Sequence, residues 1–207
     1  MKQGRKAKQA AAKKNESRAG YFVKRLFAFG FDWYLSGILA NIAISLCYGF
    51  FNQGKIEVQY GFENMTTPQS LITIGILALI FLFYYVYVPA KIWKGQTLML
   101  HVMQLKVVDL NDQEVGLKTL LFRFVVGCLL LEGTFYFFTS AFKTMLLTKF
   151  LPLDTGTMDL LLSGPIVVIS VISLLMSLRD KTHSQTLHDK ISKTYVKDIH
   201  EVGNGAL

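Results

Sequence analysis

The chain has 207 residues, of which 52% are hydrophobic and only 17% charged, with a net charge of +8 and a mean hydropathy of +0.37. So few charges, gathered in clusters, exclude an ordinary soluble domain, in which about a quarter of the residues are charged. The two cysteines, Cys47 and Cys128, stand apart in apolar sequence, which argues against a disulfide framework or a cysteine metal site.

Residues 1–19 are rich in Lys, Ala and Gln with no hydrophobic period. They read as a basic disordered cytoplasmic tail, or a loose helix lying on anionic headgroups. Nucleic acid is not expected as a partner, because the positive-inside bias of membrane proteins already accounts for the charge. The long basic run and the long apolar run behind it also argue against a cleaved signal peptide.

The first apolar stretch runs from Val23 to Phe51 and opens on Arg25 and Asp32. Seven residues is nearly two helical turns, so both side chains share a face, about 10 Å apart along the axis. Arg25 is close enough to the tail to snorkel into headgroups. Asp32 is not, and facing lipid would cost it on the order of 2.5 kcal/mol or more, so it is expected to face protein or a wet cavity. Its face carries Ala28, Ser36, Ala40, Ala43 and Cys47; the opposite face carries Phe27, Phe31, Tyr34, Ile38 and Ile42. A protein side and a lipid side are therefore predicted.

Three further apolar stretches follow, Leu71–Val88, Leu120–Phe142 and Leu160–Leu178. Each is near the roughly 20 residues that cross a ~30 Å hydrocarbon core. Nine Lys and Arg precede or open the first stretch, five lie from Lys91 to Arg123, five follow the last stretch, and three occupy the other two loops. This asymmetry predicts both termini and the middle loop in the cytoplasm. The fold class read from the sequence is an all-α, four-span helical bundle.

The second stretch ends in Tyr84, Tyr85, Tyr87, Pro89 and Trp93, which reads as an aromatic belt and a helix stop. In the middle loop Gly95-Gln96-Thr97 begins an amphipathic piece, and Met103–Val107 alternates as a strand does. With turn residues at 109–116, this predicts a short interfacial hairpin between spans two and three. The third stretch holds Arg123 and Glu132, nine residues apart, which in an α-helix project to opposite sides. The fourth carries Ser170, Ser173 and Ser177 on one face, a stripe that suits helix packing before it suits a transport path. His183 and His188 share no helix face, and no metal or cofactor is expected.

Three pieces then line up. They are Arg25 with Asp32, Gly95-Gln96-Thr97 followed by Lys106-Val107-Val108-Asp109, and Gln185-Thr186-Leu187-His188-Asp189-Lys190 with Thr194 and Val196. Together they resemble the RDD family of bacterial membrane proteins, whose arginine and two aspartates would here be Arg25, Asp32 and Asp189. Met99 and Leu100 stand where that family often has Gly-Lys. The resemblance implies a multi-pass protein of the bacterial inner membrane, divided into a tail at 1–19, a membrane domain at 20–198 and a short end at 199–207. Arg25, Asp32 and Asp189 are expected to form one polar cluster, an arginine fork between two carboxylates.

The signatures of metalloproteases, serine hydrolases and phosphate loops are missing, so an enzyme is not expected. Two readings of function stand side by side. One is transport of a cation, proton or small solute, with Asp32 and Glu132 as coupling carboxylates. The other is a membrane scaffold or accessory subunit, with Asp32 neutralised by Arg25 or Arg123. The expected partners are anionic lipid headgroups, with self-association into a homo-oligomer left open.

Overall fold

The computed structural model of the chain describes residues 2–132, apart from 56, 60 and 63, and residues 155–199, apart from 181. The first helix, α1, is Lys2–Phe51, so residues 2–18 take the helical form of the two that the sequence allows. Its faces follow from side-chain size: Ala28, Ser36 and Ala40 are buried, while Phe27, Phe31 and Tyr34 are half exposed. The second helix, α2, is Thr67–Leu82 and runs on as the wider winding Phe83–Ile92. Among the described residues, Ala19–Phe51 and Thr67–Ile92 are long and apolar enough to cross a membrane.

Pro89 does not stop α2; it lies inside the wide segment. Proline has no N–H to give and its ring crowds the carbonyl four residues back, so a regular α-turn cannot form there. The chain instead donates from Trp93 N to Val88 O, five residues back, at 3.0 Å. Of the expected aromatic belt, Tyr85 turns into the protein and Tyr87 stays exposed.

A short helix α3 (Leu98–Val102) and strand β1 (Leu105–Asp109) follow. Helix α4 is Leu117–Phe122 and also continues as a wide winding, Arg123–Glu132. At about 4.4 residues per turn for i→i+5 bonding, nine residues make two turns. From Arg123 to Glu132 the backbone therefore makes two wide turns rather than the two and a half of an α-helix. The wide segments of α2 and α4 meet where Tyr85 stacks on Phe124, ring centroids 5.4 Å apart.

The last elements are α5 (Thr155–Arg179), α6 (Leu187–Ile191) and strand β2 (Thr194–Asp198). The predicted hairpin is corrected here. Strand β1 does not fold back on its own loop but pairs antiparallel with β2, with Val107 opposite Val196. The loop after β1 closes through a single Val108–Glu114 bridge and turn bonds such as Asp109 N to Gln113 O, without a second strand. Both strands are rich in β-branched and aromatic residues, and each buries the centre of its run.

The pairing exposes an internal repeat. Gly95–Asp109 and Ser184–Asp198 each run Gln-Thr-Leu, a five-residue helix, a left-handed residue (Gln104, φ 56°; Lys193, φ 53°) and a five-residue strand ending in Asp. Gln96 Nε2 donates to Leu105 O at 2.8 Å, and Gln185 Nε2 donates to Thr194 O at 2.6 Å. Val107 and Val196 occupy equivalent positions, so an approximate two-fold axis passes between them.

The whole sheet is tied to the start of α1. Tyr21 OH donates to Val196 O at 2.6 Å and Lys24 Nζ to Asp198 at 2.7 Å. The first residues of the membrane-length part of α1, the segment after α2 and the C-terminal segment thus lie together at one end of the molecule.

Candidate functional site

The expected three-residue cluster is in fact two separate sites. In the first, Asp189 of α6 is fully buried and accepts from two arginines. Arg123 donates from Nη2 to Oδ1 at 2.8 Å and from Nε to the same oxygen at 3.2 Å. Arg25 Nη2 donates to Oδ2, while its Nη1 donates to Ser184 O at 2.6 Å. Thr186 completes the set: its hydroxyl donates to Oδ2 at 2.7 Å and its N–H at 3.1 Å, a capping box that fixes the first turn of α6.

The arrangement inverts the predicted one: a single carboxylate sits between two arginines. Burial alone would raise the Asp189 carboxyl, but Arg25, His188 and Arg123 outweigh it and hold Asp189 well below the usual carboxylate range. Arg25 does not snorkel; it is only 9% exposed and turned back onto the C-terminal segment.

The serine stripe of α5 serves the same segment. Ser177 Oγ donates to Ser184 O at 2.6 Å, and Ser173 Oγ accepts from Leu187 N at 2.9 Å. Gly127 of α4 lies against the backbone of His188, whose Cα would be 3.0 Å from a Cβ placed there. Helix α6 is thereby held by α1, α4 and α5 together.

The second site is built on Asp32, which is 5% exposed. Side chains on helices lean toward the N-terminus, so Arg25 reaches away from Asp32 and toward the terminal segment. Asp32 is left to other donors. Tyr84 OH donates to Oδ1, Thr97 Oγ1 to Oδ2, and Met99 N to Oδ1 at 3.2 Å. Behind them Tyr85 OH donates to Asp32 O at 3.0 Å and to Ser36 Oγ at 3.2 Å. Among the described residues no Lys, Arg or His forms an ion pair with Asp32. Neither Arg25 nor Arg123 neutralises it, contrary to the scaffold reading of the sequence.

The two sites are variations on the repeat. The capping threonines Thr97 and Thr186 each give their hydroxyl to a buried carboxylate. In the second unit that carboxylate belongs to the unit itself, at Asp189. The equivalent position of the first unit is Leu100, and the carboxylate comes from α1 instead. Tyr84, Tyr85, Thr97 and Arg123 were not assigned by the sequence to these roles. The two Gln-Thr-Leu triplets were the signal that would have paired Thr97 with Thr186. The Glu132 side chain lies outside the described residues, as does the loop before α5.

None of the curated proteins and none of the solved structures compared with the chain matches it. The sequence pattern of the RDD family matches residues 19–193, and so takes in Arg25, Asp32, both Gln-Thr-Leu triplets and Asp189. This chain belongs to the RDD family, a family of membrane proteins.

Proposed function

We propose that the protein is a four-span protein of the bacterial inner membrane, with both termini in the cytoplasm, that carries protons or small cations across the bilayer through Asp32. The observation that carries this reading is the contrast between the two buried aspartates. Asp189 is saturated by two arginines and has no charge left to trade. Among the described residues the donors to Asp32 are neutral, and two of them are hydroxyls. A hydroxyl can turn from donor to acceptor. Tyr84 and Thr97 can therefore hold Asp32 both as a carboxylate and as a carboxylic acid, which a guanidinium cannot do. Ionisable groups at such positions are costly, and function is the usual reason for keeping them.

Two features support the topology: the strand pairing, which gathers the start of α1, the middle loop and the C-terminal segment at one end, and the lysine and arginine asymmetry of the sequence. Glu132 is the second coupling carboxylate on this reading, two wide turns beyond Arg123, much as Asp32 lies two α-turns beyond Arg25. We assign the protein no enzymatic reaction.

The test is proton and cation flux in liposomes carrying the purified protein and an internal pH-sensitive dye. Wild type should exceed empty liposomes severalfold, and Asp32→Asn should fall to the empty-liposome rate while still folding. Wild-type flux in Asp32→Asn would overturn the reading. The scaffold alternative rests on the Arg25–Asp189–Arg123 latch, which is complete without any ligand, and it predicts flux equal to empty liposomes for both proteins.

A further inference from the structure

We propose that α3 is a movable gate over Asp32, while its repeat partner α6 is the fixed half of the same device. The proposal rests on the proton reading above and adds how the site opens. Both short helices are bracketed by left-handed residues: Lys94, Gly95 and Gln104 around α3, Ser184 and Lys193 around α6. The backbone pivots are thus alike, and the difference lies in what holds each helix between them.

Helix α6 is anchored by two ion pairs to Asp189, by Ser173 on Leu187 N and by the close seat of His188 on Gly127. Helix α3 has no fully buried residue, and Val102 is 59% exposed. Its polar tie to α1 is Asp32, through Thr97 and Met99, and its apolar residues Met99 and Leu100 pack against the core while staying partly exposed. Thr97 and Met99 also close Asp32 off on that side.

Among the described residues no charged side chain shares the task. From α2, Tyr84 and Tyr85 face Asp32. The one titratable group of α3, His101, stacks on Trp93 at 5.1 Å and bonds Gln96 instead. From α4 the Cys128 thiol lies beyond Tyr85, and Arg25 of α1 is committed to Asp189.

The gate therefore reads the charge of one carboxylate. A proton arriving at Asp32 from the far side forms one O–H bond and removes the negative charge. Thr97 and Met99 then lose a charged acceptor, and the Met99 N–H, which cannot reverse, meets a weaker one. Helix α3 swings out about Gly95 and Gln104, and the acid meets water. The O–H bond breaks, the proton leaves to solvent, and the recharged carboxylate draws α3 back. The Asp189 latch keeps the other half still throughout.

Amide hydrogen–deuterium exchange on the full chain in lipid nanodiscs tests this, each amide being corrected for its own chemical rate. At pH 7.5 residues 98–104 should exchange at least tenfold faster than residues 187–193. At pH 5.5, and separately in Asp32→Asn, protection of 98–104 should fall severalfold further while that of 187–193 holds. Equal protection of the two segments, or a gap that neither acid nor the variant moves, would overturn the gate. The wild-type pH series decides the matter even if Asp32→Asn folds poorly. Flux in liposomes is a separate readout: a gap that behaves as described without any flux would count for the gate and against transport.

Discussion

Gln96 and Gln185 make the same hydrogen bond, side-chain amide to the carbonyl that opens the following strand, in two units eighty-nine residues apart. Each closes a loop of the same shape, and the two strands so positioned pair with each other about their midpoint. The repeat is therefore geometric as well as sequential. It also shows where the halves differ, in the source of the carboxylate that each capping threonine holds.

Asp189 sets the first prediction. Replacing it with Asn leaves the buried Arg25 and the half-buried Arg123 without a counter-charge, which should cost about 3–5 kcal/mol. Its carboxyl is held below the unfolded value of about 3.9. Its contribution is therefore fully present above that pH and is lost as pH falls toward the folded value. Thermal melting in detergent from pH 3 to 8 should show the wild type losing stability below about pH 4. Asp189→Asn should melt lower throughout and lack that acid-side loss. A variant as stable as wild type at pH 7 would contradict the latch.

Two glycine substitutions should part company. Gly127→Ala drives a Cβ into the backbone of His188, so α6 has to move, at about 1–3 kcal/mol. Gly75→Ala meets nothing within 4 Å in the middle of α2, and helix propensity then favours alanine by up to about 1 kcal/mol. Melting temperatures of the two variants, read side by side, check this. Equal shifts would mean that α6 does not pack on α4 as described.

Thr97 both caps α3 and donates to Asp32, so Thr97→Val removes two interactions at once. A hydrogen bond to a charged group contributes about 1.5–3 kcal/mol, and Thr97→Ser, which keeps the hydroxyl, should recover most of the loss. Recovery in stability by Ser but not by Val is the expected outcome. A Thr97→Val variant as stable as wild type beside a destabilised Thr97→Ser would place the role of Thr97 in its methyl group.

Topology can be read by reporter fusions. Fusions after Asn64 and after Asp154 should report outside, and one after Asp112 inside. The reverse pattern would invert the protein in the membrane.

The two faces of α1 could be read in advance because small residues recur at helical spacing, and spacing is all that a helix face requires. The membership of each polar site could not. Arg25 and Asp32 share a face, yet the arginine extends backward along its helix to a segment more than 150 residues away in sequence. The α-helical period expected between Arg123 and Glu132 gives way to a wider winding of α4, which nothing in the spacing announces. Pro89 accounts for the wide segment of α2, whereas nothing in the structure explains the one in α4. The alternation at Met103–Val107 marks a strand that lies two residues further on, at Leu105–Asp109, and its partner is β2 rather than the neighbouring loop, although adjacent strands usually pair.

The sheet and the Arg25–Asp189–Arg123 latch join the first helix to the last elements of the chain, which sets the order of biogenesis. As the protein emerges from the ribosome, Arg25 and Arg123 are already made while their shared counter-ion is still untranslated. Until residues 184–198 emerge and β2 finds β1, the inserted helices hold two cations that lack their acceptor. A chain that stops short of Asp189 is therefore marked by its own unpaired arginines, and membrane proteases that sample loosely packed helices have a physical basis for telling a finished molecule from an unfinished one.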